Sequence, residues 1–483
     1  MTVEAEGSSP STDSHRVLGP LSSVTIVVGS MLGIGIFLTP PIVARELPSA
    51  APFFGIWILA ALSALGGAAA CAALGTMMPR AGGDYVFQRR AYGPTVAVAS
   101  GWVLFGAVFA GSIGAMSVPV AQFQLPVLLD AITSAAGMDA IDLSTKITSD
   151  DAPWPVSGTQ LVGASFVILF TVLNVLGTRV AAAAQTALTT VPMLLLTLAA
   201  LVALMVTTGE TAVEAPTPAV NGSWMKAYSA VYFAFAGWNA LIYVAGEVKD
   251  PAKNLPRGLV GGTLLTTALY LLLCACFLVV LGFGGLADAG EAGTAVASVL
   301  GGQTAQVLVT GLIATVLLAS INATIMGGGR VAMAMARDGV LWRGFAKTNE
   351  RGVPARALWL QAGWAIVLIL SGSFEEILHL VSVAMMLVGS LTVASLFVIQ
   401  RREPEAEEAY SSAMIPWLPA IYLLSSLVVV AGSVYEAFDG GSEASWHALG
   451  GVILMGVVAA IHGASALIKR GAQDDGQPSG EDP

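Results

Sequence analysis

Residues 29–37 read Gly-Ser-Met-Leu-Gly-Ile-Gly-Ile-Phe, inside a run from Val17 to Ala44 that holds no Asp, Glu, Lys or Arg. A run of that length fits one membrane-crossing helix of about 20 residues. Glycines at 29, 33 and 35 each weaken such a helix by roughly 1 kcal/mol relative to alanine. Gly29 and Gly33 form a GxxxG pair, which close helix packing explains. Gly35 is left over. An unwound stretch here exposes backbone N–H groups beside a half-helix N-terminus, a setting that suits a carboxylate.

The composition supports reading this run as a membrane span. The chain has 483 residues, of which 55% are hydrophobic and only 11% charged. A soluble protein carries about 25% charged residues. A soluble enzyme and a disordered scaffold are therefore excluded, and the net charge of −10 argues against nucleic acid as a partner. Twelve stretches lack Asp, Glu, Lys and Arg. They are bounded by Arg16–Arg45, Glu46–Arg80, Arg90–Asp130, Asp151–Arg179, Arg179–Glu210, Lys226–Glu247, Arg257–Asp288, Glu291–Arg330, Arg356–Glu375, Glu376–Arg401, Glu408–Glu436 and Glu443–Lys469. Leu, Val, Ala and Gly dominate them, which predicts twelve transmembrane helices in an all-α integral membrane protein.

Basic residues give the orientation. With the N-terminus inside and spans alternating, only Arg45, Lys146 and Lys226 of the 21 Lys and Arg fall outside. This asymmetry puts both termini in the cytoplasm of a multi-pass protein of the cell membrane. Residues 1–20 read as a disordered cytoplasmic tail without a signal peptide, 471–483 as an acidic cytoplasmic tail, and 130–155 as an acidic external loop. Cys71, Cys274 and Cys276 lie in apolar runs and read as small core residues. No HExxH, GxSxG or CxxC pattern occurs, so no catalytic residues, metal or cofactor are expected.

A second irregular segment lies in the sixth span. Residues 232–240 read Tyr-Phe-Ala-Phe-Ala-Gly-Trp-Asn-Ala, combining aromatics, a glycine and an intramembrane Asn. It comes five spans after the first and runs the opposite way. Paired interrupted helices in corresponding halves point to a transporter binding site. The halves are 21–208 and 223–400, with 413–470 adding spans 11 and 12.

The stretches GSMLGIGIFLTP (29–40), GGDYVFQRRAYGP (82–94), AGWNALIYVAGEVKDPAKNLPRG (236–258) and GGGRVAMAMARDGVLWRGF (327–345) resemble the amino acid–polyamine–organocation superfamily of permeases, in family order. The first and third look most like the L-type amino acid transporter branch and its bacterial relatives. Gly177-Thr178-Arg179-Val180 and Pro192 also resemble bacterial arginine/agmatine exchangers. The resemblance implies a LeuT-type fold, with spans 1–5 and 6–10 as inverted repeats, spans 1 and 6 unwound, and two extra C-terminal helices. It implies that a substrate carboxylate meets the backbone N–H groups of Ile34, Gly35 and Ile36 beside Gly33. It also implies that the α-amino group meets carbonyls of Met31, Phe233, Ala234 and Ala236. Half-helix ends carry opposite partial charges, which suits a zwitterion. The family usually has a small Ser where this chain has Ile34, so the pocket is expected to be narrower or more apolar.

Phe233 occupies the family's aromatic gate position, with packing as the equal alternative. Trp238 either lines the pocket or anchors the helix, and Asn239 either lines it or bonds to a neighbouring helix. Ser320 and Thr324 in span 8 fall where sodium-coupled relatives of the fold bind sodium, although Ser and Thr often bond only their own helix. Ser112, Ser117 and Asn322 are further polar residues of these cores. Glu247 reads as an inner-gate carboxylate or as a solvated charge, and Arg330 and Arg337 as basic interface residues.

No Asp, Glu, Lys or Arg lies within the twelve windows, and the Lys that many relatives carry in span 5 is absent from 189–193. This weakens a proton-symport reading and favours an exchanger of neutral amino acids. The alternatives are a proton- or sodium-coupled importer, a cationic amino acid or polyamine exchanger, and, from another class, a non-transporting membrane sensor. Animal L-type relatives join a heavy chain through an external Cys. The outer loops here contain none, so no disulfide-linked heavy chain is expected.

Overall fold

The computed structural model describes residues 16–139, 141–148, 156–207, 222–372, 374–403, 415–439, 450 and 452–464. Of the tail expected at 1–20, residues 1–15 lie outside the described residues, as do the tail expected at 471–483 and part of the loop at 130–155, whereas residues 16–20 are ordered against the bundle and lead into α1 at Pro20. Every named element is helical. The helices are α1 (Pro20–Met31), α2 (Gly35–Glu46), α3 (Ala50–Met77), α4 (Asp84–Tyr92), α5 (Pro94–Ala136), α6 (Gly158–Val175) and α7 (Thr178–Val206). They continue with α8 (Trp224–Ala234), a 3₁₀ segment (Ala240–Glu247), α9 (Pro251–Asp288), α10 (Ala292–Arg337), α11 (Ala355–Leu370), α12 (Phe374–Arg402), α13 (Trp417–Asp439) and α14 (Val452–Ala464).

Seven of these are long and apolar enough to cross a membrane, and the α1–α2 pair, bent by 43°, makes an eighth. The chain is thus a multi-pass, all-helical membrane protein. The remaining apolar stretches form shorter helices, α11 and α14 among them. Breaks, and not a lack of apolar residues, shorten the sixth stretch.

Burial separates the helices by role. α3 is rich in Ala and Gly and apolar on all sides, and it lies at the centre with Trp57, Ala68, Ala69, Cys71 and Leu74 fully covered. α7 exposes Leu194, Leu198, Val202 and Met205 on one side and buries Ala181, Gln185 and Thr189 on the other. Such an apolar exposed face suits lipid. Close packing accounts for Gly29, as sequence reading allowed: a Cβ there would meet the Gln185 and Thr189 side chains of α7 at 2.2 Å.

Both irregular segments are interrupted. α1 stops at Met31, Leu32 is extended (φ −72°, ψ 93°), and α2 starts at Gly35. α8 stops at Ala234, residues 235–239 form turns, and Gly237 takes φ +102°, which side-chain-bearing residues rarely adopt. The two breaks abut. A Cβ on Gly35 would lie 2.9 Å from the Cα of Ala234, and one on Gly237 would lie 2.6 Å from the Ser30 carbonyl oxygen. Gly35, the residue that close packing of α1 left unexplained, is where the two backbones touch.

At the Glu247 end of the bundle, the chain before α1 pairs with the chain after the 3₁₀ segment. The Val17 and Leu18 N–H groups each donate to the Glu247 carbonyl at 2.9 Å, and the Lys249 N–H donates to Leu18 at 2.9 Å.

Candidate functional site: a cavity at the paired helix breaks

A cavity of about 550 Å³ opens where the breaks abut. Met31, Gly33, Ile34 and Gly35 line it from the first break, and Phe233, Ala234, Ala236, Trp238 and Asn239 from the second. Ser320 and Thr324 of α10 complete one wall, with Ser112 nearby on α5. Of the residues expected at the site, Ile36 turns into the core and is fully buried. Its expected role uses backbone and not side chain. Glu247 lies away from the cavity.

Backbone polarity converges here. The first N–H groups of α2 have no carbonyl of their own helix to bond. At the other ends, the Val28 carbonyl accepts from Leu32 at 2.7 Å, and the Val231 and Phe233 carbonyls accept from Phe235 at 3.2 Å and Ala236 at 2.9 Å, while other last carbonyls of α1 and α8 turn to side chains. Two side chains meet some of these carbonyls. Tyr270 of α9 places its hydroxyl 2.5 Å from the Met31 carbonyl oxygen and 3.1 Å from that of Ala234, bridging the breaks. Ser320 places its hydroxyl 2.8 Å from the Gly29 carbonyl oxygen and 3.1 Å from that of Leu32. Each hydroxyl has a single proton to donate. Thr324 instead donates to the Ser320 carbonyl at 2.8 Å, within its own helix. Ser117 similarly bonds back to Gly114. Asn322 faces away from the cavity, donating to Gln185 Oε1 at 2.8 Å and accepting from Asn174 at 2.9 Å.

The aromatic residues divide between lining and packing. Phe233 is half-buried at the cavity and meets Tyr232 edge-on at 6.2 Å. Trp238 does both: it lines the cavity, stacks edge-on with Tyr422 at 5.2 Å, and occupies the space a Cβ on Gly67 of α3 would fill. Asn239 donates to the Tyr243 hydroxyl at 3.2 Å.

Asp84 is the structure's main departure from the sequence reading. The uncharged windows hold no acid, but the turn after α3 sets one, the first residue of α4, into the protein. Asp84 lines the cavity and is 1% exposed. Tyr243 donates its hydroxyl to Oδ2 of Asp84, and Asn239 approaches the same oxygen at 3.5 Å. Oδ1 has no hydrogen-bond partner. The expectation that no acid is buried, which weakened a proton-symport reading, therefore does not hold. Gly82 and Gly83, at φ +119° and +52°, fold the connector inward, and a Cβ on Gly83 would strike the Tyr243 ring at 2.5 Å. The Gly-Gly-Asp triplet was the available signal, but hydropathy windows treat it as loop.

Glu247 forms a separate cluster. Arg330 of α10 is fully buried and so is not an interface residue. Its Nε donates to Glu247 Oε1 at 2.8 Å and its Nη2 to Oε2 at 3.3 Å. Nη2 also lies 3.1 Å from the Thr178 hydroxyl, which in turn donates to Glu247, and Nη1 donates to the Met326 carbonyl at 2.8 Å. This ion pair joins the 3₁₀ segment to α10 and the start of α7.

Comparison with known proteins agrees with this architecture. The amino acid permease family matches residues 18–478. The serine/threonine exchanger SteT of Bacillus subtilis is 24% identical over 430 residues, covering 87% of this chain and 91% of its own. The b(0,+)-type amino acid transporter 1 of Mus musculus is 24% identical, covering 91% and 85%. The branched-chain amino acid permease BcaP of Lactococcus lactis is 25% identical, covering 88% and 90%. A full-length family match joined to two abutting helix breaks around one cavity leads to one conclusion: the chain belongs to the amino acid permease family, within the amino acid–polyamine–organocation superfamily.

Proposed function

We propose that this chain is a secondary transporter that exchanges neutral amino acids across the cell membrane by alternating access. The observation that carries this reading is the cavity at the paired breaks, where free N–H groups of α2 stand opposite carbonyls of α1 and α8. That arrangement suits both ends of a zwitterion at once. In this reading the carboxylate meets the N–H groups of Ile34, Gly35 and Ile36. The ammonium shares the carbonyls of Met31, Phe233, Ala234 and Ala236, with Tyr270 holding two of them in place. Phe233 closes over the substrate. Apolar walls at Ile34, Phe233 and Trp238 favour an uncharged side chain, in keeping with relatives named for serine and threonine or branched-chain amino acids.

The wider reading has twelve spans, both termini in the cytoplasm, inverted repeats at 21–208 and 223–400, and 413–470 outside them. The Arg330–Glu247–Thr178 cluster and the pairing of residues 16–18 with 247–249 then form an inner gate. The carrier works without an enzymatic step and without a disulfide-linked heavy chain. Ser320 donates into carbonyls that a sodium ion would otherwise take, which favours sodium-independent exchange.

Counterflow in proteoliposomes tests this. Vesicles loaded with unlabelled serine, threonine, leucine or valine are expected to take up the labelled partner without sodium, and empty vesicles to take up far less. Sodium-driven accumulation into empty vesicles would overturn the exchanger reading.

A further inference from the structure

The cavity wall holds one acid that no step of neutral amino acid exchange requires. Asp84 is 1% exposed, lines the cavity, and leaves Oδ1 without a partner. A buried carboxylate is normally paired with a cation or held by several donors. Here the donors among the described residues are all neutral: the Tyr243 hydroxyl on Oδ2, Asn239 farther off, and the Thr392 hydroxyl and the residue's own backbone N–H nearby.

Among the described residues, the surrounding elements supply no cation that is not already engaged. On the 3₁₀ segment the neighbouring titratable group is Tyr243, on α3 it is Cys71, and on α13 it is Tyr422. On α12 the Thr392 hydroxyl stands nearby, and Arg402 is turned to the Ala91 carbonyl. On α10, Arg330 is taken by Glu247, and just past its end Asp338 binds Tyr85 and Arg89 of α4 itself. α5 carries no charged residue before Asp130. Among the described residues the nearby arginines are engaged elsewhere and the other near groups are neutral or acidic at pH 7, so no described cation balances an Asp84 anion.

We infer that Asp84 is a proton-binding site of the transport cavity, and that a neutral amino acid binds together with a proton on this carboxyl. The inference rests on reading the cavity as the transport site. A substrate that enters displaces cavity water, and the anion loses the hydration that kept it charged. A proton from bulk water then adds to the free Oδ1, so substrate and proton stabilise each other. Affinity falls as pH rises, because the proton must come from an ever more dilute pool. Uptake of one proton per substrate gives at most about tenfold per pH unit.

Two measurements separate this inference from the reading beneath it. The first needs no substrate: infrared titration of the carboxyl C=O stretch in reconstituted protein. A protonated band that titrates in the wild type and is missing from Asp84→Asn is expected. If wild type and variant titrate alike, the inference fails. The second is equilibrium binding of labelled serine and leucine from pH 5 to pH 8. The wild type is expected to weaken by about fivefold or more, while Asp84→Asn, which mimics the protonated acid, stays flat at the tight limit. Tyr243→Phe removes the donor to Oδ2, which favours the anion, so the profile moves to higher pH. A flat wild-type profile, or a variant that keeps the slope, overturns the inference. If instead labelled lysine binds the wild type best and Asp84→Asn abolishes it, the positive charge comes from the substrate and the proton assignment is wrong. If neither serine, leucine nor lysine binds while the infrared band behaves as expected, the transport-site reading fails and the proton site stands.

Discussion

Two acids stand near the 3₁₀ segment, and their surroundings are opposite. Glu247 at its end meets a buried guanidinium on both oxygens and a hydroxyl besides. Asp84, beside Tyr243 in the same segment, meets only neutral groups, a phenol, a distant amide and the nearby Thr392 hydroxyl, and no cation among the described residues. A buried ion pair with satisfied hydrogen bonds works as a fixed clasp, because separating the charges exposes each to a poor solvent. A buried acid without a cation changes its proton content more readily than it moves. The difference teaches that depth alone does not assign a role to a charge; the partners do.

The most severe way to break the comparison is to make Glu247 resemble Asp84. Arg330→Met leaves Glu247 unpaired and is expected to cost about 3–5 kcal/mol, read as a lowered midpoint in thermal unfolding of the detergent-solubilised protein. Adding Glu247→Gln in the same chain is expected to restore more than half of that loss. If the double variant is as unstable as Arg330→Met, the cost comes from packing around Arg330 and not from an orphaned charge.

A third acid, partly buried, sharpens the contrast outside the spans. Glu291 stands at the start of α10 without a side-chain capping bond and with Oε1 unpartnered, and burial pushes its carboxyl up to about 7. Because the folded state holds this proton more tightly than the unfolded chain, the group's stabilisation is complete below about pH 4.5. It is lost as pH rises through about 7, up to about 3 kcal/mol in all. Glu291→Gln is expected to flatten the pH dependence of unfolding over that window. A slope unchanged by the substitution would show that Glu291 is better solvated than its burial implies.

Asp84→Asn is expected to go the other way from Arg330→Met. At pH 8 it removes a charge with no cation and is expected to leave the midpoint unchanged or raise it by about 1 kcal/mol. A loss comparable to that of Arg330→Met would mean that Asp84 has a strong partner after all. The smallest expected effect extends the comparison to a neutral group. Tyr270→Phe removes the hydroxyl between Met31 and Ala234 and is expected to cost about 1 kcal/mol of stability, with a larger loss of serine affinity in the binding assay. Equal losses in both would place Tyr270 in packing alone.

Particular residues show how far the sequence carries. The interruption at Gly33–Gly35 was legible because helix cost and span length are local quantities. So was the second break, where Gly237 sits among aromatics. Arg330 was misjudged because it lies next to the uncharged window of span 8, and proximity to a span end looks the same whether a side chain turns to water or to Glu247. Asp84 was passed over for a related reason: a hydropathy window assigns connectors to solvent, yet two positive-φ glycines fold this one into the protein. Tyr270 carried no signal at all, since a tyrosine in an apolar run is ordinary.

The sequence by itself determined that the chain is a multi-pass helical membrane protein, that two helices break, and to which family it belongs. These follow from composition, from charge spacing, and from motifs that lie within one helix or one turn. Only the tertiary structure decided which polar groups meet: Gly35 on Ala234, Ser320 on Gly29 and Leu32, Glu247 on Arg330, and Asp84 on Tyr243 without a cation. The physical reason is separation along the chain. Hydrophobic burial is set residue by residue, whereas a hydrogen bond or ion pair needs two groups placed within about 3 Å, and here they come from helices far apart in sequence.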